Sequence, residues 1–108
     1  MQRILKMKNP PSAVITGIDA CAFGVIYAIR EKGFSVPDDF SVAGYEGIEA
    51  GGMIWPKLTT MVYDHKKIGS SAVASLLRTI NEPDVVSHIK VMPTLMTGGT
   101  VKRIKAGK

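Results

Sequence analysis

The side chains able to carry chemistry are few and scattered along the 108 residues. The two histidines, His65 and His88, stand far apart in sequence and neither neighbours a nucleophile. An isolated imidazole is more often a surface or half-buried side chain than a ligand or base. Glu46 and Glu49 could act as a carboxylate pair, but lying among glycines they read first as solvated loop residues. Cys21 falls at the start of a helical stretch, where a thiol can be acidified. No histidine or other base accompanies it, so it reads as a small packing residue. Thr97-Gly98-Gly99-Thr100 bears glycines but matches neither the dinucleotide fingerprint nor the P-loop. A single cysteine allows no internal disulfide and no cysteine-paired zinc site. The residues therefore point to a binding protein rather than an enzyme, with no cofactor and no metal.

Two carboxylates gain meaning from their place. Asp19 directly follows the apolar run Ser12–Ile18, and Glu46 directly follows Phe40–Tyr45. In an open α/β sheet, ligands bind beyond the carboxyl ends of the strands. Asp19 and Glu46 both occupy that lip and could accept hydrogen bonds from ligand hydroxyls. Asp19 has a second reading of equal weight, the N-cap of the helix that follows.

The elements that must position them follow from the apolar pattern. Residues 2–8 read as the last turns of a helix, stopped by Asn9-Pro10-Pro11. The run 12–18 is short and nearly all apolar, as in strands covered on both faces. Residues 20–32 form a helix with Ala22, Val25, Ile26 and Ile29 as its inner stripe and Gly33 as the residue past its end. Phe23 and Tyr27 widen its apolar surface to a second side. Val36-Pro37-Asp38-Asp39 is a turn, and 40–45 is the next strand, which completes a βαβ unit with a parallel sheet. A glycine-bearing loop carrying Met53, Ile54 and Trp55 leads to an extended segment over 58–63. Asp64 caps the clearest helix, 65–80, where Ile68, Ala72, Leu76 and Ile80 recur at steps of four. Residues 86–92 alternate as a strand does, and 94–97 is a last extended piece.

Composition narrows the class further. Hydrophobic residues make up 45% and charged residues 21%, which suits one folded domain and argues against disorder. The apolar runs are far shorter than the roughly 20 residues of a membrane helix, and the N-terminus has no apolar signal region. A cytoplasmic setting without membrane contact is expected. The net charge is +5, yet half of the 14 cations sit in the two ends and all nine acids lie between them. That makes basic tails, not the basic face that nucleic acid requires.

Together these motifs form a pattern. Ala13-Val14-Ile15-Thr16-Gly17-Ile18-Asp19 is followed by Ala22-Phe23-Gly24 and by Gly33-Phe34-Ser35-Val36-Pro37-Asp38-Asp39-Phe40-Ser41-Val42-Ala43-Gly44-Tyr45-Glu46. Pro56-Lys57-Leu58-Thr59-Thr60-Met61 and the Ile68-Gly69 helix come after. Over residues 1–101 the chain resembles the C-terminal part of the effector-binding core of lactose/galactose-repressor (LacI/GalR) transcription regulators. The specificity lies in the combination of the 33–46 motif with the 56–61 motif.

The resemblance implies an α/β fold, part of a periplasmic-binding-protein-like (type I) three-layer α/β/α architecture with a mainly parallel sheet. It implies that about 1–57 and 86–101 belong to the C-terminal subdomain, that about 58–85 returns to the N-terminal one, and that 102–108 is a basic tail. A small effector, a sugar or similar, would lie between the subdomains. Family members often carry an Asp after Gly-Tyr to bind it, and here that position is Glu46. Many end the first strand in Asn-Asp, and here Ile18-Asp19 loses the Asn. Tyr63 matches a polar position at the crossover. The implied effector contacts are thus Asp19, Glu46 and Tyr63. The family dimerises through its core, which implies a homodimer interface with Phe23, Tyr27, Ile54 and Trp55. DNA would be reached only through a helix-turn-helix headpiece that these residues do not include. A fragment of a periplasmic sugar-binding protein and a self-associating half-domain are the competing readings.

Overall fold

The computed structural model describes residues 1–104, and the last part of the predicted basic tail, 105–108, lies outside the described residues. Helix α1 (Gln2–Leu5) is shorter than the 2–8 expected, because its last turn closes at Lys6. Strand β1 (Ala13–Ile15), helix α2 (Asp19–Glu31) and strand β2 (Ser41–Glu46) then form the expected parallel βαβ unit. Strand β3 (Thr59–Val62), helix α3 (His65–Asn81) and strand β4 (Thr94–Met96) complete the element order. The sheet runs β1-β2-β3-β4, with β2 and β3 parallel in the register Ala43↔Thr59 to Glu46↔Val62.

The described residues divide into two compact units, Met1–Val62 with the stretch from Leu95 on, and Tyr63–Thr94. The whole of β3 stays with the sheet it pairs with, and the segment after α3 stays with α3.

The first unit holds the core. Ala22, Ile26 and Ile29 lie on the inner side of α2 and are buried with Val36, Phe40, Val42 and Leu58. The predicted stripe is right except at its margin, where Val25 is only partly covered. Burying an isoleucine such as Ile29 contributes roughly 2 kcal/mol by apolar area. Phe34 packs edge-on to Phe40 with centroids 5.6 Å apart. Gly33, at φ 79°, ends α2 in the left-handed conformation that glycine adopts without steric cost.

Strand β1 departs from expectation. It was predicted to be covered on both faces, but Ile15 is 80% exposed. The strand lies at the edge of the sheet order, and the described chain offers nothing that covers its outer side.

A polar clip under the sheet explains Thr97-Gly98-Gly99-Thr100. The Thr100 hydroxyl donates to the Val42 carbonyl at 2.6 Å and accepts from the Thr59 N–H at 2.9 Å. The Val42 N–H donates to the Thr100 carbonyl, and the Gly98 N–H donates to the Thr59 hydroxyl. Thr100 is fully buried. For the clip to close, residues 98–99 must lie directly on 56–58. A Cβ on Gly98 would come within 2.6 Å of the Leu58 carbonyl oxygen, and one on Gly99 within 2.8 Å of the Pro56 side chain. The glycines serve backbone approach, not phosphate binding.

In the second unit, Asp64 caps α3 as expected, accepting from the Lys67 N–H at 2.9 Å. The helix buries none of its residues, and Leu76, Leu77 and Ile80 are each more than half exposed. The alternation over 86–92 does not become a strand. A strand needs a backbone partner, and no pairing involves these residues within the described chain. The alternation survives in side-chain direction, since Ser87, Ile89 and Val91 face α3.

Adding a methyl group to Gly98 should lower the stability of the chain by roughly 2–3 kcal/mol, the cost of overpacking against a backbone that cannot yield. Gly69, inside α3, has open space where a Cβ would stand. Gly69→Ala should leave stability unchanged or raise it by up to about 1 kcal/mol. Denaturant unfolding of the two variants beside the parent checks both signs.

Candidate functional site

Asp19 is the first residue of α2, and Ile18, not Asp19, occupies the N-cap position. The expected helix-capping bond is not formed; the carboxylate turns toward the sheet instead. Its Oδ2 accepts from the Gly47 N–H and the Ile48 N–H, both at 2.9 Å. Its Oδ1 accepts from the Thr60 hydroxyl at 2.6 Å. The side chain is fully buried. A buried carboxylate is tolerable only when paired or fully hydrogen-bonded, and the dipole at the start of α2 adds to the three donors. The Asp19 carboxylate is thus occupied by the chain's own donors from the loop after β2 and from β3.

Gly44 makes room for this arrangement. A Cβ there would lie 2.9 Å from Leu58 Cδ2 and would overlap the Asp19 carboxylate. The Asp19 oxygens also bring the loop after β2 against the sheet, and Gly47 follows at φ 78°, with its Cα side facing Val62 at a distance a Cβ would close to 2.8 Å.

Glu46 is the last residue of β2 and stands at the carboxyl end of the parallel strands, as expected. It is half-buried. Its φ is 133°, the one positive value among the described non-glycine residues. Such a backbone costs about 1–3 kcal/mol and persists only where the surroundings enforce it. Ile18, three residues past the end of β1 and at the N-cap of α2, is 46% exposed. Sequence reasoning singled out Glu46 but carried no signal for its backbone. It also passed over Thr60, whose hydroxyl completes the coordination of Asp19.

Tyr63 belongs to the second unit. It is half-buried, its ring lies 6.0 Å from that of His65, and it lines a cavity of about 390 Å³ with Ile68, Ser75 and Ile89 among others. Of the predicted interface residues, Phe23 and Ile54 pack partly against the first unit's own core, while Tyr27 and Trp55 are 70% and 82% exposed. The Arg30 guanidinium donates to the Trp55 carbonyl, which fastens the Trp55 loop to α2 one turn beyond Tyr27. Among the described residues no cluster of His, Cys, Asp and Glu is arranged to hold a metal ion, and no helix is long and apolar enough to cross a membrane.

Comparison with known proteins gives a consistent picture. A family model described as a periplasmic binding protein-like domain matches residues 1–101. The HTH-type transcriptional repressor PurR of Glaesserella parasuis serovar 5 is 37% identical over 111 residues, covering 96% of this chain and 33% of the repressor. The lac repressor dimer bound to operator and the anti-inducer ONPF is similar in structure, with a TM-score of 0.81 and 30% identity over 93% of this chain and 36% of that one. A LacI family regulator from Enterococcus faecium with bound ribose gives 0.78 and 27% over 96% of this chain and 38% of that one. The chain spans about a third of the length of the curated relatives it matches.

Replacing Glu46 by glycine should relieve the backbone and raise stability by about 1 kcal/mol, net of the entropy a glycine adds to the unfolded chain. Thermal unfolding of Glu46→Gly beside the parent measures this. A drop in melting temperature would show that the carboxylate itself holds the fold.

Proposed function

The chain belongs to the periplasmic binding protein-like domain family, in its LacI/GalR branch, and from that premise we propose that it is an effector-binding and dimerisation part of a bacterial transcription regulator. It acts as a binder and not as an enzyme, in the cytoplasm, and reaches DNA only through a headpiece outside these residues. In the intact regulator the effector would bias two arrangements of the subdomains and so reset the DNA-binding headpieces.

The observation that carries this reading is Glu46. A residue held at φ 133° at the carboxyl end of parallel strands, where glycine would relax the chain, is kept for its side chain. Its carboxylate offers acceptors to hydroxyl or amine protons. The effector read from this acceptor is a small molecule that carries such protons, a sugar or similar. Tyr63 is read as a further polar effector contact of the intact regulator, and the unit Tyr63–Thr94 as belonging to the N-terminal subdomain. The exposed apolar side of α3 and the unpaired extended run over 86–92 support that assignment.

Tyr27 and Trp55 are read as the centre of the dimer contact, with Phe23 and Ile54 behind them. Exposed aromatics on one fastened surface are what an interface centre requires. The exposed α3 face and the β1 edge favour a second reading, self-association of the half-domain through those surfaces.

Two measurements test the proposal. Calorimetric titration with a panel of pentoses and hexoses, begun with ribose, should find a ligand, and Glu46→Gln should weaken its binding by about 10–100-fold, the worth of a hydrogen bond to a charged acceptor. Unaltered affinity in Glu46→Gln would remove Glu46 from the site. Light scattering across concentrations should show a dimer whose dissociation constant rises by about 30-fold in Trp55→Ala, as for an interface hot spot. A dimer of unchanged strength would move the contact to α3 or the β1 edge.

A further inference from the structure

We propose that Asp19 is a positioning residue of the candidate effector site: it holds the turn that presents Glu46 and does not touch the effector itself. The inference rests on the reading of Glu46 as an effector contact. Two successive N–H groups, those of Gly47 and Ile48, converge on a single oxygen of Asp19. That fixes the peptide planes on both sides of Gly47 and therefore the direction in which the chain leaves Glu46. The β2–β3 ladder holds Glu46 on the strand side, opposite Val62, and the Asp19 bonds hold the side that leaves it, where φ is 133° at Glu46 and 78° at Gly47.

The anchor is rigid for stated reasons. Asp19 opens a 13-residue helix whose Ala22, Ile26 and Ile29 are buried in the core. Its second oxygen is taken by the hydroxyl of Thr60, in β3, the strand paired to β2. Helix, turn and strand thus meet at one carboxylate, and no surface of that carboxylate is left for a ligand. A preorganised acceptor binds more tightly than a mobile one, since its ordering is complete before the ligand arrives.

The test needs no effector. In the ¹⁵N-labelled 108-residue chain, amide hydrogen exchange reads the Asp19 bonds at Gly47 and Ile48, and the three-bond amide coupling of Glu46 reads its φ. In Asp19→Asn, exchange at Gly47 and Ile48 should rise at least about tenfold and the Glu46 coupling should change, while Ile26, Ile29 and Val42 keep their protection within about twofold. Unchanged exchange at Gly47 and Ile48 would overturn the proposal. If Asp19→Asn loses protection everywhere, Thr60→Val decides, because it loosens the carboxylate without removing it. A rise confined to Gly47 and Ile48 in Thr60→Val supports the positioning role, and no rise or a uniform one overturns it. Glu46→Gln should leave all of these amides unaltered, so the loss of the effector reading and the loss of the positioning role register in different experiments.

Discussion

The structure of the first unit turns on one buried carboxylate. Taking Asp19 out of water costs several kcal/mol before compensation. Three donors within 2.9 Å and the positive end of α2 return that cost, and they come from three different elements. The consequence is geometric as well as energetic. α2 can start in only one place relative to β3, and the loop after β2 can leave in only one direction. Gly44 and Gly47 are required by the same constraint, since a side chain at either would push Asp19 or Val62 away. Charge-assisted hydrogen bonds hold geometry better than apolar contact does, because they fix direction as well as distance.

A second polar device works at the other end of the strands. Apolar packing of Val42 and Leu58 between α2 and the sheet is non-directional and would tolerate a slide of the closing segment. The Thr100 hydroxyl removes that freedom, because it bonds Val42 on β2 and Thr59 on β3 at once. The first unit is therefore an apolar core with a threonine clip at one end of the strands and an aspartate at the other. Glu46, with its positive φ, stands at the aspartate end.

Much of this was legible in the sequence, and the rest was not for identifiable reasons. The βαβ unit, the Asp64 cap and the end of α2 at Gly33 follow from local chemistry, in which each residue's neighbours decide its conformation. The Asp19 bonds link residues 28, 29 and 41 positions apart, and no spacing rule reaches that far. Its place at the start of α2 made a local cap one of two equal readings, and that cap bond is not formed. The two glycines at 98–99 gave a visible motif with the wrong meaning, because the backbone they approach lies about 40 residues earlier. Residues 86–92 failed in the opposite sense. Their alternation states which side faces inward, while strand formation depends on a partner that the pattern does not contain.

The distribution of burial carries the last step. Among the described residues all seven buried hydrophobic ones, from Ala22 to Leu58, belong to the first unit, and α3 in the second buries none. A helix of 17 residues gains little from propensity alone and derives its stability from packing its apolar side. The exposed Arg78–Glu82 pair adds well under 1 kcal/mol. The sequence of α3 is patterned for a covered face, so its stability depends on surfaces beyond its own unit's core. The first unit, by contrast, contains its own core, its own clip and its own carboxylate anchor.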